Sequence, residues 1–308
     1  MKFGLCLSGG GIKGAAHIGV IKALEESNVK IDMISGASSG SIVATLYAAG
    51  YNADEIYKFF KQYAKDIRYV DLKNIFKLIY GLIFKNEIAI TGLTAGKKLE
   101  EYVKKMCLKK GITNIRDINF PLYISSVDLK NGSTYIFTNT KCMTRDDLVL
   151  ISDIDIAKAV RASCSYPGVF EPVKWDNTEL IDGGIRENVP WKVMKNCGAD
   201  KVMTVVFKGK GKKNCCKNLI NVVDCSLGYL NNELFKYEIN GCDEVLSIET
   251  GDIGLLDSDK VDELYEEGYR LGKEYAQNKN RIWKFCKLCT IAWQLYIIFL
   301  YYHSMLCS

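Results

Sequence analysis

The chain has 308 residues, enough for one large α/β domain or two smaller ones. Apolar residues make up 48% and charged residues 25%, the balance of an ordinary globular protein with a sizeable core. The net charge is +5, from 41 basic and 36 acidic residues, and four of the basic ones (Lys279, Arg281, Lys284, Lys287) lie beyond residue 278 with no acidic partner. The rest of the chain is too balanced for nucleic acid to be its main partner.

Residues 2 to 7 read as a short buried strand, broken by Ser8-Gly9-Gly10-Gly11. Residues 12 to 26 then read as a helix with Ala15, Ile18, Val20, Ile21 and Leu24 on its apolar face. A second strand (31 to 34) runs into Gly36-Ala37-Ser38-Ser39-Gly40 and a second helix (39 to 49) closed by Gly50. Strand, glycine turn, helix, strand is the start of a βαβ unit and predicts a parallel sheet.

Residues 65 to 95 carry more apolar surface among lysines than one amphipathic stripe needs, including Ile75, Phe76, Leu78, Ile79, Leu82, Ile83 and Phe84. Either a helix packed on the domain or a mobile cap over an apolar substrate site fits that pattern. Thr94 is placed to N-cap a helix through Met106, supported by Glu100 with Lys104 and Glu101 with Lys105. Further strands are predicted at 122–127, 134–138, 201–207 and 244–248, and helices at 154–163, 190–197, 218–240 and 258–277. Lys208 to Lys213 is expected to be a solvated loop. From Leu288 to Ser308 the chain has no formal charge and is about long enough to span a bilayer, with Gln294 and a short apolar centre weakening that reading. A tail anchor, an interfacial helix or a packed terminal helix all remain open.

The twelve cysteines are scattered; Cys6, Cys164 and Cys225 sit in apolar patterns as small buried residues would. Cys286 and Cys289 form a lone CxxC with no second pair at zinc spacing. No signal peptide is visible, so reduced thiols in a cytoplasmic protein are expected. There are only two histidines, His17 and His303. His303 lies in the apolar tail, and His17 lies inside the first helix as a packed residue would.

Two glycine loops carry the chemistry. Gly9-x-Gly11-x-x-Gly14, with Asp32 about twenty residues beyond Gly11, satisfies a dinucleotide fingerprint. A phosphate-binding Walker loop is excluded, because Ala15 stands where its lysine belongs and Gly92 to Gly96 before Lys97 is one residue short. The same glycines suit an acyl hydrolase: Gly9, Gly10 and Gly11 open a helix with unblocked N–H groups, and Lys13 adds a cation near the corner. Gly36 and Gly40 flank Ser38 at minus two and plus two on a strand-to-helix corner, the spacing that exposes a serine nucleophile. In a parallel sheet both loops emerge at the carboxyl ends of neighbouring strands. With histidine poorly placed, a carboxylate is left to take the Ser38 proton, and Asp182 before Gly183 and Gly184 is the strongest candidate, although an Asp-Gly turn is equally good at reversing a chain.

Taken in order, the loop Gly9–Gly14, the elbow Gly36–Gly40, the Asp182-Gly183-Gly184 turn and the stretch Ala159 to Phe170 before Glu171-Pro172-Val173 give a chain that resembles the patatin-like phospholipases over roughly residues 3 to 275. The resemblance implies a three-layer α/β sandwich with a central, mostly parallel sheet; that domain is expected over residues 1–278, and the basic then apolar tail at 279–308 lies outside the resemblance. It implies Ser38 as nucleophile and Asp182 as proton acceptor without histidine. The oxyanion loop would comprise Gly9, Gly10, Gly11, Lys13 and Gly14, with the Gly10 and Gly11 N–H groups as donors. The substrate would be a phospholipid or other acyl lipid at a membrane surface, with no metal or organic cofactor and with membrane association through the tail. Two alternatives stay open: a dinucleotide-binding oxidoreductase using Gly9–Gly14, and a non-catalytic lipid-binding protein of the same fold.

Overall fold

A computed structural model describes residues 1–67, 71, 74, 76, 77, 80, 84, 90–142, 148–209 and 219–279. Most of the proposed cap at 65–95 lies outside the described residues, as do the lysine loop beyond Gly209 and the tail with Cys286, Cys289 and His303.

The chain opens with β1 (Phe3–Leu7), a 3-10 turn at Gly11–Lys13, α1 (Gly14–Glu26), β2 (Met33–Gly36), α2 (Ser39–Ala48) and α3 (Ala53–Asp66). Next come β3 (Gly92–Thr94), α4 (Lys97–Lys109), β4 (Leu122–Asp128), β5 (Thr134–Thr138), β6 (Leu148–Ile151) and α5 (Ile156–Ser163). Three short strands follow, β7 (Gly168–Phe170), β8 (Val173–Trp175) and β9 (Thr178–Asp182), then α6 (Trp191–Asn196), β10 (Lys201–Gly209), α7 (Leu219–Glu238), β11 (Glu244–Gly251) and, last among the described residues, a helix, α8, over 261–279.

Among the described residues the main sheet runs β11-β10-β1-β2-β4-β5-β6, with β9 also pairing β4 and β8 pairing β9. Five strands, β11 through β4, pair in parallel; β4 meets β5 and β9 antiparallel, and β5 with β6 is parallel again. The sheet is therefore mixed but mostly parallel, and covered on both faces. Strand alternation explains how: Phe3, Leu5 and Leu7 of β1 pack with Ile18, Ile21 and Leu24 of α1 and with Ile42 and Leu46 of α2. Cys6, on the opposite face, packs with Trp191, Val193 and Met194 of α6 and with Phe235 of α7. A strand buried on both faces reads as an unbroken apolar run, which is how FGLCL reads.

Two local expectations change. Thr94 does not cap a helix; it ends β3, its hydroxyl donates to Asp71 Oδ2 at 2.8 Å, and α4 begins after Gly96, which takes a left-handed conformation. The pairing of β3 with β7 holds Thr94 extended, a tertiary demand that local capping preference cannot override. The thiols are not all reduced: Cys142 and Cys197, 55 residues apart, have Cα atoms 5.3 Å apart and are joined as a disulfide. Cys225 is half-buried and also disulfide-bonded, whereas Cys6 and Cys164 are buried free thiols as expected.

Candidate active site

Leu7 and Gly36 are in register at the carboxyl ends of β1 and β2, so the Gly9–Gly14 loop and the Gly36–Gly40 elbow leave the sheet side by side. Loops at the carboxyl ends of adjacent parallel strands form the crevice in which α/β proteins bind ligands.

The elbow is tight. A Cβ on Gly36 would lie 2.4 Å from the Gly40 carbonyl oxygen, and one on Gly40 would lie 2.3 Å from that of Leu7. Only glycine fits at either place, which is the physical content of the G-x-S-x-G spacing. Between them Ser38 is forced to φ 49° and ψ −125°, a strained conformation that costs about 1–3 kcal/mol and lifts the side chain off the corner. Two hydrogen bonds hold it there: Ser38 N–H donates to Ser163 Oγ at 2.9 Å, and Ser41 Oγ donates to the Ser38 carbonyl at 2.6 Å. Ser38 remains half-buried among fully buried neighbours.

Asp182 closes β9, opposite Ser126 of β4, and is 2% exposed. Its backbone N–H donates to the Ser165 carbonyl at 3.1 Å, and its Oδ1 accepts the Gly184 N–H at 2.8 Å. Oδ2 is buried without a hydrogen bond of good geometry. The Ser38 hydroxyl is nevertheless close enough to favour the charged carboxylate. A loosely aligned pair of this kind is common in an unliganded site and tightens when substrate arrives. Burial pushes the carboxyl up to about 7; the Ser38 hydroxyl, the Gly184 N–H and the Arg161 guanidinium pull it back down. An aspartate poised there can both accept and return a proton near neutral pH.

Arg161 is itself 1% exposed. Its guanidinium donates to the carbonyls of Ala95 (2.8 Å) and Glu171 (2.9 Å) and to Ser165 Oγ (2.6 Å), and it lies over the Phe170 ring. It thereby fixes the segment that supplies Ser163 and Ser165 to the two candidate residues. Cys164, next to both, is kept a neutral thiol by burial and by the Asp182 carboxylate.

Gly9, Gly10, Gly11, Lys13 and Gly14 all lie in the turn that follows β1 and leads into α1, and their N–H groups differ in what they bond. The Gly9 N–H is already spent on Asn188 Oδ1 at 2.8 Å, that of Ile12 on the Leu255 carbonyl, and that of Lys13 on the Gly10 carbonyl. Among the described residues the Gly10 and Gly11 amides carry no hydrogen bond. Gly14 sits against Ser39, so the loop rests on the elbow. Asn188 carries no signal in the sequence; Arg161 and Ser163 lie in the stretch Ala159 to Phe170 that carries the resemblance, but nothing in their spacing from Ser38 or Asp182 is chemical.

His17 is fully buried in α1, its ring tilted against that of Phe207 with the centroids 4.5 Å apart. Its Nε2 lies 2.8 Å from the Ser8 carbonyl, which can only accept, so Nε2 carries the proton. Burial lowers its pKa to about 4. It is the packed helix residue expected. Asp32 cannot serve a dinucleotide: its carboxylate accepts the Phe3 N–H at 2.9 Å and pairs with Lys30 at the amino ends of β1 and β2, the edge opposite the glycine loop. A groove of about 860 Å³ between β11 and α8 contains none of these residues.

The sequence model of one family, Patatin-like phospholipase, matches residues 5–195. The chain belongs to the patatin-like phospholipase family. That match takes in the glycine loop, the elbow, Asp182 and Asn188. Among curated relatives, a protein named lysophospholipase NTE1 from Meyerozyma guilliermondii is 30% identical over 202 residues, covering 66% of this chain and 12% of the relative. The protein named lysophospholipase nte1 from Neurospora crassa is 25% identical over 301 residues, covering 89% of this chain and 18% of the relative. The chain thus spans under a fifth of the length of these relatives. The solved structure of VipD from Legionella pneumophila shares the fold, with a TM-score of 0.50 at 15% identity over 90% of this chain and 67% of VipD. The patatin-like α/β sandwich is the architecture described above. No helix among the described residues is long and apolar enough to cross a membrane.

Proposed function

We propose that this chain hydrolyses fatty acyl esters of phospholipids or lysophospholipids by way of an acyl-enzyme on Ser38, with Asp182 as its only base. The observation that carries the reading is the pairing of a strained, half-exposed serine with a buried aspartate whose carboxyl burial pushes up towards neutral pH. Ser38 Oγ attacks the ester carbonyl as its proton passes to Asp182 Oδ2. The tetrahedral oxygen is received by the Gly10 and Gly11 N–H groups, each donor of this kind contributing about 3 kcal/mol to lowering the barrier. Asp182 returns the proton to the departing alcohol, then takes one from the attacking water and passes it to Ser38 Oγ as the fatty acid is released. The names of the curated relatives favour a single-chain phospholipid among the substrates. The hydrolase unit of this reading is residues 1–278, with 279–308 as an appended segment that meets the membrane surface.

The test is incubation with mixed phospholipid and lysophospholipid vesicles, reading released fatty acid. Wild type is expected to release it, while Ser38→Ala and Asp182→Asn, both folded by circular dichroism, do not. Loss with Ser38→Ala but full activity in Asp182→Asn would rule out the two-residue mechanism. A wild-type protein that binds vesicles but neither releases fatty acid nor reacts with a fluorophosphonate probe is a lipid-binding member of the fold.

A further inference from the structure

One side chain joins the two halves of the site without belonging to either motif. Asn188 Oδ1 accepts the Gly9 N–H at 2.8 Å, and the approach is close enough that a Cβ on Gly9 would lie 2.7 Å from that oxygen. The same oxygen borders the aspartate turn: a Cβ on Gly184 would lie 3.1 Å from Asn188 Oδ1 and 3.1 Å from Asp182 Oδ1. Asn188 is held from behind, because its backbone N–H donates to Glu238 Oε1 at 2.8 Å while the Glu238 carbonyl accepts the Trp191 indole N–H at 2.7 Å. Glu238 is 8% exposed and ends α7, which packs on the far face of the sheet from Ser38.

We propose that Asn188, clamped by Glu238, is the positioning residue of the oxyanion loop, taking the Gly9 N–H out of use so that the next two amides, Gly10 and Gly11, face the Ser38 ester carbonyl. Unmade, the Gly9 amide would be free to turn into the crevice and the loop could rotate about it, misaligning donors that act only at short range. The proposal rests on the Ser38–Asp182 reading and adds a residue that touches neither substrate nor reacting atoms.

The experiment compares Asn188→Ala and Asn188→Asp with wild type in vesicle hydrolysis across pH 5–9. Ser38→Ala is run alongside and melting is followed throughout. Asn188→Ala is expected to lose roughly 100-fold in kcat with KM within about twofold, the scale of losing one oxyanion donor. Asn188→Asp keeps an acceptor for the Gly9 N–H but places a second carboxylate beside Asp182. The other charged groups behind that position are Glu238, Glu187 and Lys192. Like charges raise each other's pKa, so its acid limb is expected to move up by about one unit while most of the kcat lost in the alanine variant returns at pH 9. The limb shift reports only that the two carboxylates are neighbours. Recovery of kcat at pH 9 with melting like that of the alanine variant is what a purely structural role would not produce, and that recovery decides the matter if Asn188→Ala does not fold. The proposal is overturned if Asn188→Ala keeps kcat within twofold, or if Asn188→Asp is as inactive as alanine at every pH. If Ser38→Ala remains active, it is the underlying hydrolase reading that has failed.

Discussion

The two walls of the crevice are built on opposite plans. The Ser38 wall is backbone: two glycine turns at neighbouring strand ends, a strained φ and a row of N–H groups, all within the first forty residues. The Asp182 wall is side chain: a buried carboxyl, a buried guanidinium, two serines and an asparagine gathered from β9, α5 and the loop before α6. The first wall gets its chemistry from geometry that glycine alone permits. The second gets it from withdrawing charge from water, which is what raises Asp182 towards neutrality. The proposed catalytic site is thus made half from shape and half from burial, and the halves should fail differently.

The largest effects should fall on the proposed reacting pair, Ser38 and Asp182. Ser38→Ala is expected to lower kcat by at least 10⁴-fold without changing the melting temperature by more than about 2 °C, since it leaves the strained backbone intact. Asp182→Asn should be equally inactive yet more stable than wild type. Its folded pKa near 7 lies above the usual 3.8, so the fold binds that proton more tightly than the unfolded chain does. Stability fully present below about pH 4 is therefore lost as pH rises towards 7, by up to about 4 kcal/mol from three pKa units. Melting at pH 8 should show Asp182→Asn above wild type, the gap closing near pH 4; a variant less stable at pH 8 breaks the contrast between the walls.

Arg161→Met comes next. It strands the Ala95 and Glu171 carbonyls and should cost about 3 kcal/mol in urea unfolding, with activity falling because Ser163 and Ser165 shift. Gly36→Ala sharpens the other side: a methyl 2.4 Å from the Gly40 carbonyl forces the elbow apart, so fluorophosphonate labelling should fall by more than tenfold even in the folded fraction.

The same contrast explains what the sequence disclosed. The glycine loop, the elbow and the first βαβ unit were legible because Gly36, Gly40 and the run Gly9–Gly11 are steric requirements written at short range. The strands 134–138 and 122–128 announced themselves by apolar patterning. The short strands β6 to β9, three to five residues each, did not, because they are too short to show a period and are held by their partners: β6 by β5, β7 by β3, β8 by β9 and β9 by β4. Asp182 emerged by eliminating histidine. Asn188 did not emerge, and Arg161 and Ser163 emerged only as members of the stretch Ala159 to Phe170, because their contacts exist only once distant strands are brought together; Thr94 misled for the same reason.

Sharpest of all is the pH dependence of Ser38 labelling by a fluorophosphonate in wild type and in His17→Gln. If a carboxylate alone activates the serine, labelling rises with pH along a single limb near 7, and His17→Gln keeps both that limb and the rate within about threefold. A limb that disappears when His17 is replaced would show an imidazole to be the base and contradict the assignment to Asp182.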